Sequence, residues 1–431
     1  MTKADNVVLN YLNSLKPESH LIKEYSDVWF EEAGESDSAK NKRVYFVDLV
    51  MEGGGMLGLA LVGYTYILEL HNIRFRAVAG TSAGAINALA LSAAGSPNEV
   101  KSRKIAEILE DTNFAAFVDG PWFVKSSLKI MSSKCHWAYK LATRFIQHVL
   151  SIFYLVKHKG LNKGENFQHW MSKVLQEMRF EGVGATSLKE LKKRWSLPGN
   201  LTVHTPNGVL PAERYNSFGA LAIVSSCLTA GQQVTFPKDA DLFYKDIENI
   251  HVADFARASM SVPIFFQPFT IANLPPFEET TPKWKQRFGR DVSAYQRHAE
   301  KMHFVDGGIL SNFPFEIFHS KRAPQMPTFG VKLGIDRFRN RNNKFKDFLV
   351  NLLDVMKGNS DNRYRIQNNR EYEQLVAQIN TDGFDWLAFD MSDDEKLKLL
   401  IAGVEEARHF LEKFDWERYK SLRQEISKEK L

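Results

Sequence analysis

Cysteine is scarce in this chain of 431 residues, which has only Cys135 and Cys227. The two lie far apart, without Cys-x-x-Cys or Cys/His ligand spacing, so neither a disulfide framework nor a zinc site is expected. A reducing, cytoplasmic setting fits. Long apolar runs are missing too. No stretch reaches the ~18 uninterrupted apolar residues that a membrane-spanning helix needs, and the nearest, VLSIFYLV at 149–156, is far too short. Residues 1–16 lack the basic, apolar, small-residue order of a signal peptide, so secretion by that route is not expected. A charge excess of one sign is lacking as well. The 56 Lys+Arg against 51 Asp+Glu leave a net charge of only +5, too little to argue for nucleic acid. The expectation is a protein that is soluble or peripheral at a membrane.

What is present is a large apolar content, 44% of residues, enough for one large α/β domain with additions or for two to three ordinary domains. Val8, Tyr11, Leu12 and Leu15 fall at helical spacing before Pro17, and the polar stretch 31–43 reads as a linker. From Val44 the pattern becomes VYFVDLVM, a dense apolar run ended by three glycines, which predicts a buried strand. Helical spacing over Leu57 to Leu70, a strand at IRFRAVAG (73–80) and a helix over Ser82 to Ala94 follow. Further strands are expected at Ala220 to Val224, His303 to Val305 and Thr328 to Leu333, with helices at Phe167 to Met178 and His251 to Met260. Alternation of this kind predicts a mainly parallel sheet covered by helices. From Lys344 onward the pattern is nearly all helical, with FKDFLVNLLDVM and DEKLKLLIAGVEEARHFLEKF as its clearest pieces.

Three short elements carry chemistry. Gly80-Thr81-Ser82-Ala83-Gly84 is a G-x-S-x-G at a strand-to-helix junction, where a sharp turn exposes the serine and the glycines let strand and helix approach closely. The helix that follows aims its N-terminal N–H groups toward that serine. Gly53-Gly54-Gly55-Met56-Leu57-Gly58 ends the preceding strand, and amides in such a loop can converge on an oxyanion. The same glycines fit a dinucleotide-binding loop, but the strand IRFRAVAG offers no acid to hold a ribose and runs straight into the serine. The third element is His303-Phe304-Val305-Asp306-Gly307-Gly308, an aspartate ending a short strand. A carboxylate within reach can take the proton that makes a serine hydroxyl a poor nucleophile.

With these three elements in order, the chain resembles the patatin-like phospholipases, whose signature is a glycine-rich oxyanion loop, a G-x-S-x-G elbow and a D-G-[GA] aspartate, used as a Ser/Asp dyad. GLNKGENFQHWMSKVL (160–175), ARASMSVPIFFQPF (256–269) and the C-terminal FDMSDDEKLKLLIAGVEEARHFL are similar to further segments of that family, and the likeness spans about residues 44–335. The resemblance implies Ser82 as nucleophile, Asp306 as base and Gly53, Gly54 and Gly55 as oxyanion amides, with Gly58, Gly80, Gly84, Gly307 and Gly308 supporting them. The chain departs from the family at Leu57, where a cation is common, and at Cys227, where many relatives carry an aspartate. A Ser/His/Asp triad is the mechanistic rival, since the chain has 12 histidines. The nearest, His303, would point to the opposite sheet face from Asp306.

No acidic residue stands between Asp119 and Glu165, while Lys125, Lys129, Lys134, Lys140, Arg144, Lys157, Lys159 and Lys163 are interleaved with Trp122, Phe123, Trp137, Tyr139, Phe145, Phe153 and Tyr154. Three readings stand: a core helix pair with solvated lysines, an element lying on anionic membrane, or nucleic-acid binding, for which no motif is present. The basic stretch Lys283 to Lys301, with Arg287, Arg290 and Arg297, reads as a solvated loop or as a phosphate contact.

The expectation is thus a three-layer α/β/α fold. It comprises an N-terminal helical extension and linker (1–43), a catalytic domain (44–340) with a basic and aromatic insertion (119–165), and a helical C-terminal region (341–431). The expected activity is hydrolysis of phospholipid or lysophospholipid acyl esters, without metal or organic cofactor. An acyltransferase using the same residues and a non-catalytic lipid-binding protein on the same fold are the alternatives.

Overall fold

The computed structural model describes residues 7–32, 42–124, 141–214, 219–289, 299–319, 324–334, 361 and 363–429. At its centre is an 11-stranded mixed sheet. Its middle is parallel: Val376–Ile379, Thr328–Leu333, Lys42–Met51, Ile73–Thr81 and Ala220–Cys227 pair in that order. Antiparallel strands flank this core. Trp29–Glu32 pairs with the first half of Lys42–Met51 and leads on to Thr202–Thr205 and Gly208–Pro211. On the other side Gln232–Phe236 and Lys301–Asp306 pair with Ala220–Cys227, and Phe269–Ala272 pairs with Lys301–Asp306.

Every residue from Val44 to Met51 is buried. Successive strand residues point to opposite faces, so both faces of this strand are covered, as its unbroken apolar run requires. The chain then makes a 3-10 turn at Gly55–Gly58 and the helix Leu59–Leu70, which is buried along nearly its whole length. That burial needs a second cover, supplied by the long helix Asp393–Lys413. A capping box starts this helix: Glu395 N donates to Ser392 Oγ while Ser392 N donates to Glu395 Oε2 at 2.8 Å. The two helices cross at Gly63 and Gly403, where a Cβ on either would collide with the other's carbonyl at Leu400 or Ala60.

The α/β architecture with helical additions agrees with the sequence pattern, but the sheet is mixed where a mainly parallel one was expected, only its middle being parallel, and three elements differ in detail. Trp29–Glu32 is a strand where the linker was expected to begin. Val376–Ile379 is a strand within the C-terminal region expected to be helical; four residues between helices carry too little periodicity to announce themselves. The stretch from Lys283 begins inside the helix Phe277–Phe288 and not in a loop. The expected helix over 345–356 lies outside the described residues.

Candidate active site

The strand Ala220–Cys227 organises the site. On one edge it pairs along Ile223–Cys227 with Gln232–Phe236. The other edge serves two strands in succession: Ala77–Thr81 lies parallel opposite Ala220–Val224, and then Phe304–Asp306 lies antiparallel opposite Ser225–Cys227. Those two strands therefore meet end to end. Thr81 faces Val224 and Asp306 faces Ser225, neighbouring residues whose Cα atoms are about 3.8 Å apart. Gly307 fills the joint, where a Cβ would collide with Val224 O and come within 2.9 Å of Thr81 Cγ2.

Ser82 follows Thr81 and turns the chain into the helix Ala83–Ala93, with φ 51° and ψ −114°. For a non-glycine residue such a conformation costs about 1–3 kcal/mol and persists only where its surroundings hold it. Ile86 N donates to Ser82 O at 3.0 Å on the helix side. Ser82 N donates to Ser259 Oγ at 2.9 Å, and Ser259 Oγ donates onward to Val224 O at 2.6 Å. A Cβ on Gly84 would collide with Met51 O, and one on Gly80 would collide with Gly84 itself, so the elbow fits only with both glycines present. Ser82 is 4% exposed.

Asp306 is fully buried. Its Oδ1 accepts Gly308 N at 2.7 Å, and its own amide donates to Ser261 O at 2.9 Å. One short segment, Ser259 to Ser261, thus holds the backbone of both Ser82 and Asp306. Arg257 braces that segment from below, donating to Ser261 Oγ at 2.5 Å, to Gln267 O at 3.0 Å and to Lys163 O. Burial lowers its pKa to about 10, which leaves it charged at neutral pH. His303 is engaged elsewhere, with Nδ1 3.0 Å from Thr270 Oγ1.

The glycine loop lies against the elbow: a Cβ on Gly53 would come within 3.1 Å of Ser82 Cβ. Gly53 N donates to Asn312 O and Asn312 Nδ2 donates to Gly53 O, both at 3.0 Å. Gly54 and Gly55 follow, Gly55 with φ 56°, and no acceptor takes their amides among the described residues. Gly58 closes the turn, its carbonyl accepting Asn87 Nδ2 at 3.3 Å. Leu57 is buried in the core, so the position where a cation is common in the family is occupied here by packing.

Ser82 opens into an apolar cavity lined chiefly by aromatic and aliphatic side chains, the usual character of a small-molecule site. Phe114, Phe117, Phe167 and Trp170 form one wall, and Trp386, Leu387 and Phe389 another. Phe389 stacks on Phe265 with ring centroids 5.1 Å apart. A second, small apolar cavity shares Ile86, Asn87, Leu109 and Trp170 with the first and continues between Ile105, Ile108 and Val174. Trp170 lines both, its Nε1 donating to Thr112 Oγ1 at 3.1 Å.

Of the basic stretch from Lys283, Lys283 and Arg287 are committed to acids, while Arg290 and Arg297 lie outside the described residues. Arg287 donates to both Asp241 oxygens, at 2.5 and 3.1 Å, and Lys283 lies 3.0 Å from Asp241. In the insertion, Trp122, Ile152, Phe153 and Val156 are 61–75% exposed, which removes Trp122 and Phe153 from any core. Lys125, Lys129, Lys134, Lys140, Trp137 and Tyr139 lie outside the described residues. Cys227 is buried, and burial pushes its thiol up to about 11, so it is an inert, neutral group. Among the described residues no cluster of His, Cys, Asp or Glu could hold a metal ion.

Sequence reasoning missed Asn312, Ser261, Trp386 and Phe389. Ser259, Ser261 and Phe389 lay inside segments already noted for their family likeness; nothing in the local pattern marks Asn312 or Trp386.

The profile of the family described as Patatin-like phospholipase matches residues 49–319. An uncharacterized protein of Bacillus subtilis (strain 168), YqhO, is 28% identical over 376 residues, 86% of this chain and 100% of that protein. The crystal structure of VipD from Legionella pneumophila matches 93% of this chain and 72% of its own, at TM-score 0.43 and 15% identity. The structure of the ExoU-SpcU complex from the type III secretion system of Pseudomonas aeruginosa matches 86% of this chain and 52% of its own, at TM-score 0.31 and 15% identity. The family profile covers well over half of the sequence and includes the glycine loop, the elbow and the aspartate: this chain belongs to the patatin-like phospholipase family.

Proposed function

We propose that this protein is a lipid acyl-ester hydrolase in which Ser82 is the nucleophile and Asp306 its base. The observation that carries this is the end-to-end meeting of the strands bearing Thr81 and Asp306 on one edge of Ala220–Cys227, beside an apolar cavity that Ser82 lines. In the first half-reaction Asp306 takes the hydroxyl proton, Ser82 Oγ bonds to the ester carbonyl carbon, and the amides of Gly54 and Gly55 stabilise the oxyanion. Gly53 N already donates to Asn312 O, so Gly53 anchors the loop. The carbon–oxygen bond to the alcohol then breaks, and the proton on Asp306 passes to the leaving alkoxide. In the second half Asp306 deprotonates water, whose oxygen attacks the acyl carbon, and the bond to Ser82 Oγ breaks as the serine regains its proton. No step calls for a metal or organic cofactor.

The acyl chain occupies the aromatic cavity, which suits phospholipid or lysophospholipid substrates. The outward face of the helix Leu141–His158, with Ile152, Phe153 and Val156 exposed beside Lys157 and Lys159, together with Trp122, is the surface that meets an anionic membrane. No helix among the described residues is long and apolar enough to cross one. Transfer of the acyl group to another alcohol uses the same residues and differs only in the acceptor. Fluorophosphonate labelling of wild type against Ser82→Ala, with mass spectrometry of a digested lipid extract, tests the assignment. Wild type is expected to label and release fatty acid, and Ser82→Ala to do neither. Asp306→Asn is expected to lose about 10²–10⁴-fold in rate. Labelling undiminished in Ser82→Ala overturns the nucleophile.

A further inference from the structure

Asp361 lies beyond the family match, which ends at residue 319, yet it is bonded into the floor of the site. Its Oδ2 accepts Asn312 N at 3.0 Å and Phe313 N at 2.8 Å, and its Oδ1 accepts Ser311 Oγ at 3.1 Å. The turn Ser311 to Phe313 that it grips is buried and touches all three catalytic elements. Gly53 of the glycine loop is held twice by Asn312. Thr81, next to Ser82, donates its Oγ1 to Ser311 O at 3.0 Å. Ser311 N donates to Gly307 O, next to Asp306, at 3.0 Å.

We propose that Asp361 is a positioning residue: by fixing the Ser311–Phe313 turn it sets the spacing between the glycine loop, Ser82 and Asp306. The physical reason is in the accounting of backbone bonds. The amides of Asn312 and Phe313 are consecutive, buried and both directed at one carboxylate, so without it two donors lose their acceptor together and the turn shifts to find others. A shift of even ~1 Å at a catalytic centre costs on the order of 10²-fold in rate. Asp361 does not line the acyl cavity, so its loss acts on the chemistry and leaves ester binding alone.

The role rests on the proposed hydrolase reading, and the experiment separates the two. Wild type, Asp361→Ala and Asp361→Asn are titrated with a fluorophosphonate to count competent Ser82, and kcat and KM for a soluble p-nitrophenyl ester are measured per titrated site. Asp361→Ala is expected to lose about 10–100-fold in kcat with KM unchanged. Asp361→Asn is expected to recover most of it, because its carboxamide oxygen accepts both amides while its NH2 donates to Ser311 Oγ. If Asp361→Ala does not fold, Ser311→Ala, which removes one of the three bonds, is expected to show a smaller loss confined to kcat. Wild-type kcat per site in Asp361→Ala or in Ser311→Ala overturns the positioning role and leaves the hydrolase reading intact, as does an Asp361→Asn no better than alanine. A wild type that neither labels nor hydrolyses overturns the hydrolase reading itself, and the role of Asp361 falls with it.

Discussion

The amide of Ser82 donates to the hydroxyl of Ser259 at 2.9 Å, a bond between the elbow and a helix that approaches it from far along the chain. Ser259 Oγ in turn donates a hydrogen bond to Val224 O, so the backbone at the elbow is tied to the strand against which Asp306 also pairs. The strained dihedral at Ser82 is therefore held from both sides.

Removing the Ser259 hydroxyl leaves the buried Ser82 N–H without an acceptor, at a cost of ~1–3 kcal/mol. Ser259→Ala is expected to unfold at lower denaturant and to label with fluorophosphonate about tenfold more slowly. An unchanged labelling rate would show that the elbow holds its shape without this bond.

Trp170 is the bulkiest side chain that lines both apolar cavities. Trp170→Ala is expected to join them and to favour longer acyl chains. Each further methylene buried is worth ~0.8 kcal/mol, so two extra carbons raise relative kcat/KM by about tenfold. A series of p-nitrophenyl esters of increasing length measures the shift; an unchanged optimum means that the chain does not pass Trp170.

Exposed Phe153 and Val156 make membrane contact testable without touching the site. The double substitution Phe153→Asp and Val156→Asp is expected to reduce co-sedimentation with anionic vesicles by at least about tenfold, given ~1.5–3 kcal/mol for each large apolar side chain that enters an apolar phase. The melting temperature should not fall, since both side chains stand in water. Equal sedimentation would move the docking surface elsewhere.

Asp361 supplies a pH signature. Burial first, then the neighbouring carboxylates Glu52 and Glu316, push it up to about 7, while Glu52 itself lies 4.0 Å from Lys332. A carboxyl group with a folded pKa above its unfolded value near ~3.9 binds more protons when folded, so stability falls as pH rises between those values. Wild type is therefore expected to lose stability relative to Asp361→Asn from about pH 4 to about pH 7, with a constant gap above that. Thermal melts of both proteins across this range measure it, and parallel curves would refute the raised pKa.

What the sequence alone determined about this protein lies where physics acts over a few residues. The apolar run Val44 to Met51 could only be a strand covered on both faces, and Gly80 and Gly84 leave room for a serine on a turn no bulkier pair allows. Ser82, the glycine loop and Asp306 stood out as candidates for this reason, each from its own short pattern. Their nearness to one another was not. It was decided by two strands sharing one edge of Ala220–Cys227, a matter of register between segments distant in sequence. The same holds for Trp386 and Phe389 in the cavity wall, for the strand Val376–Ile379 and for Asp361 beneath Asn312. Periodicity and turn chemistry report on neighbours along the chain, whereas these contacts exist only once the sheet has set which distant backbones face each other.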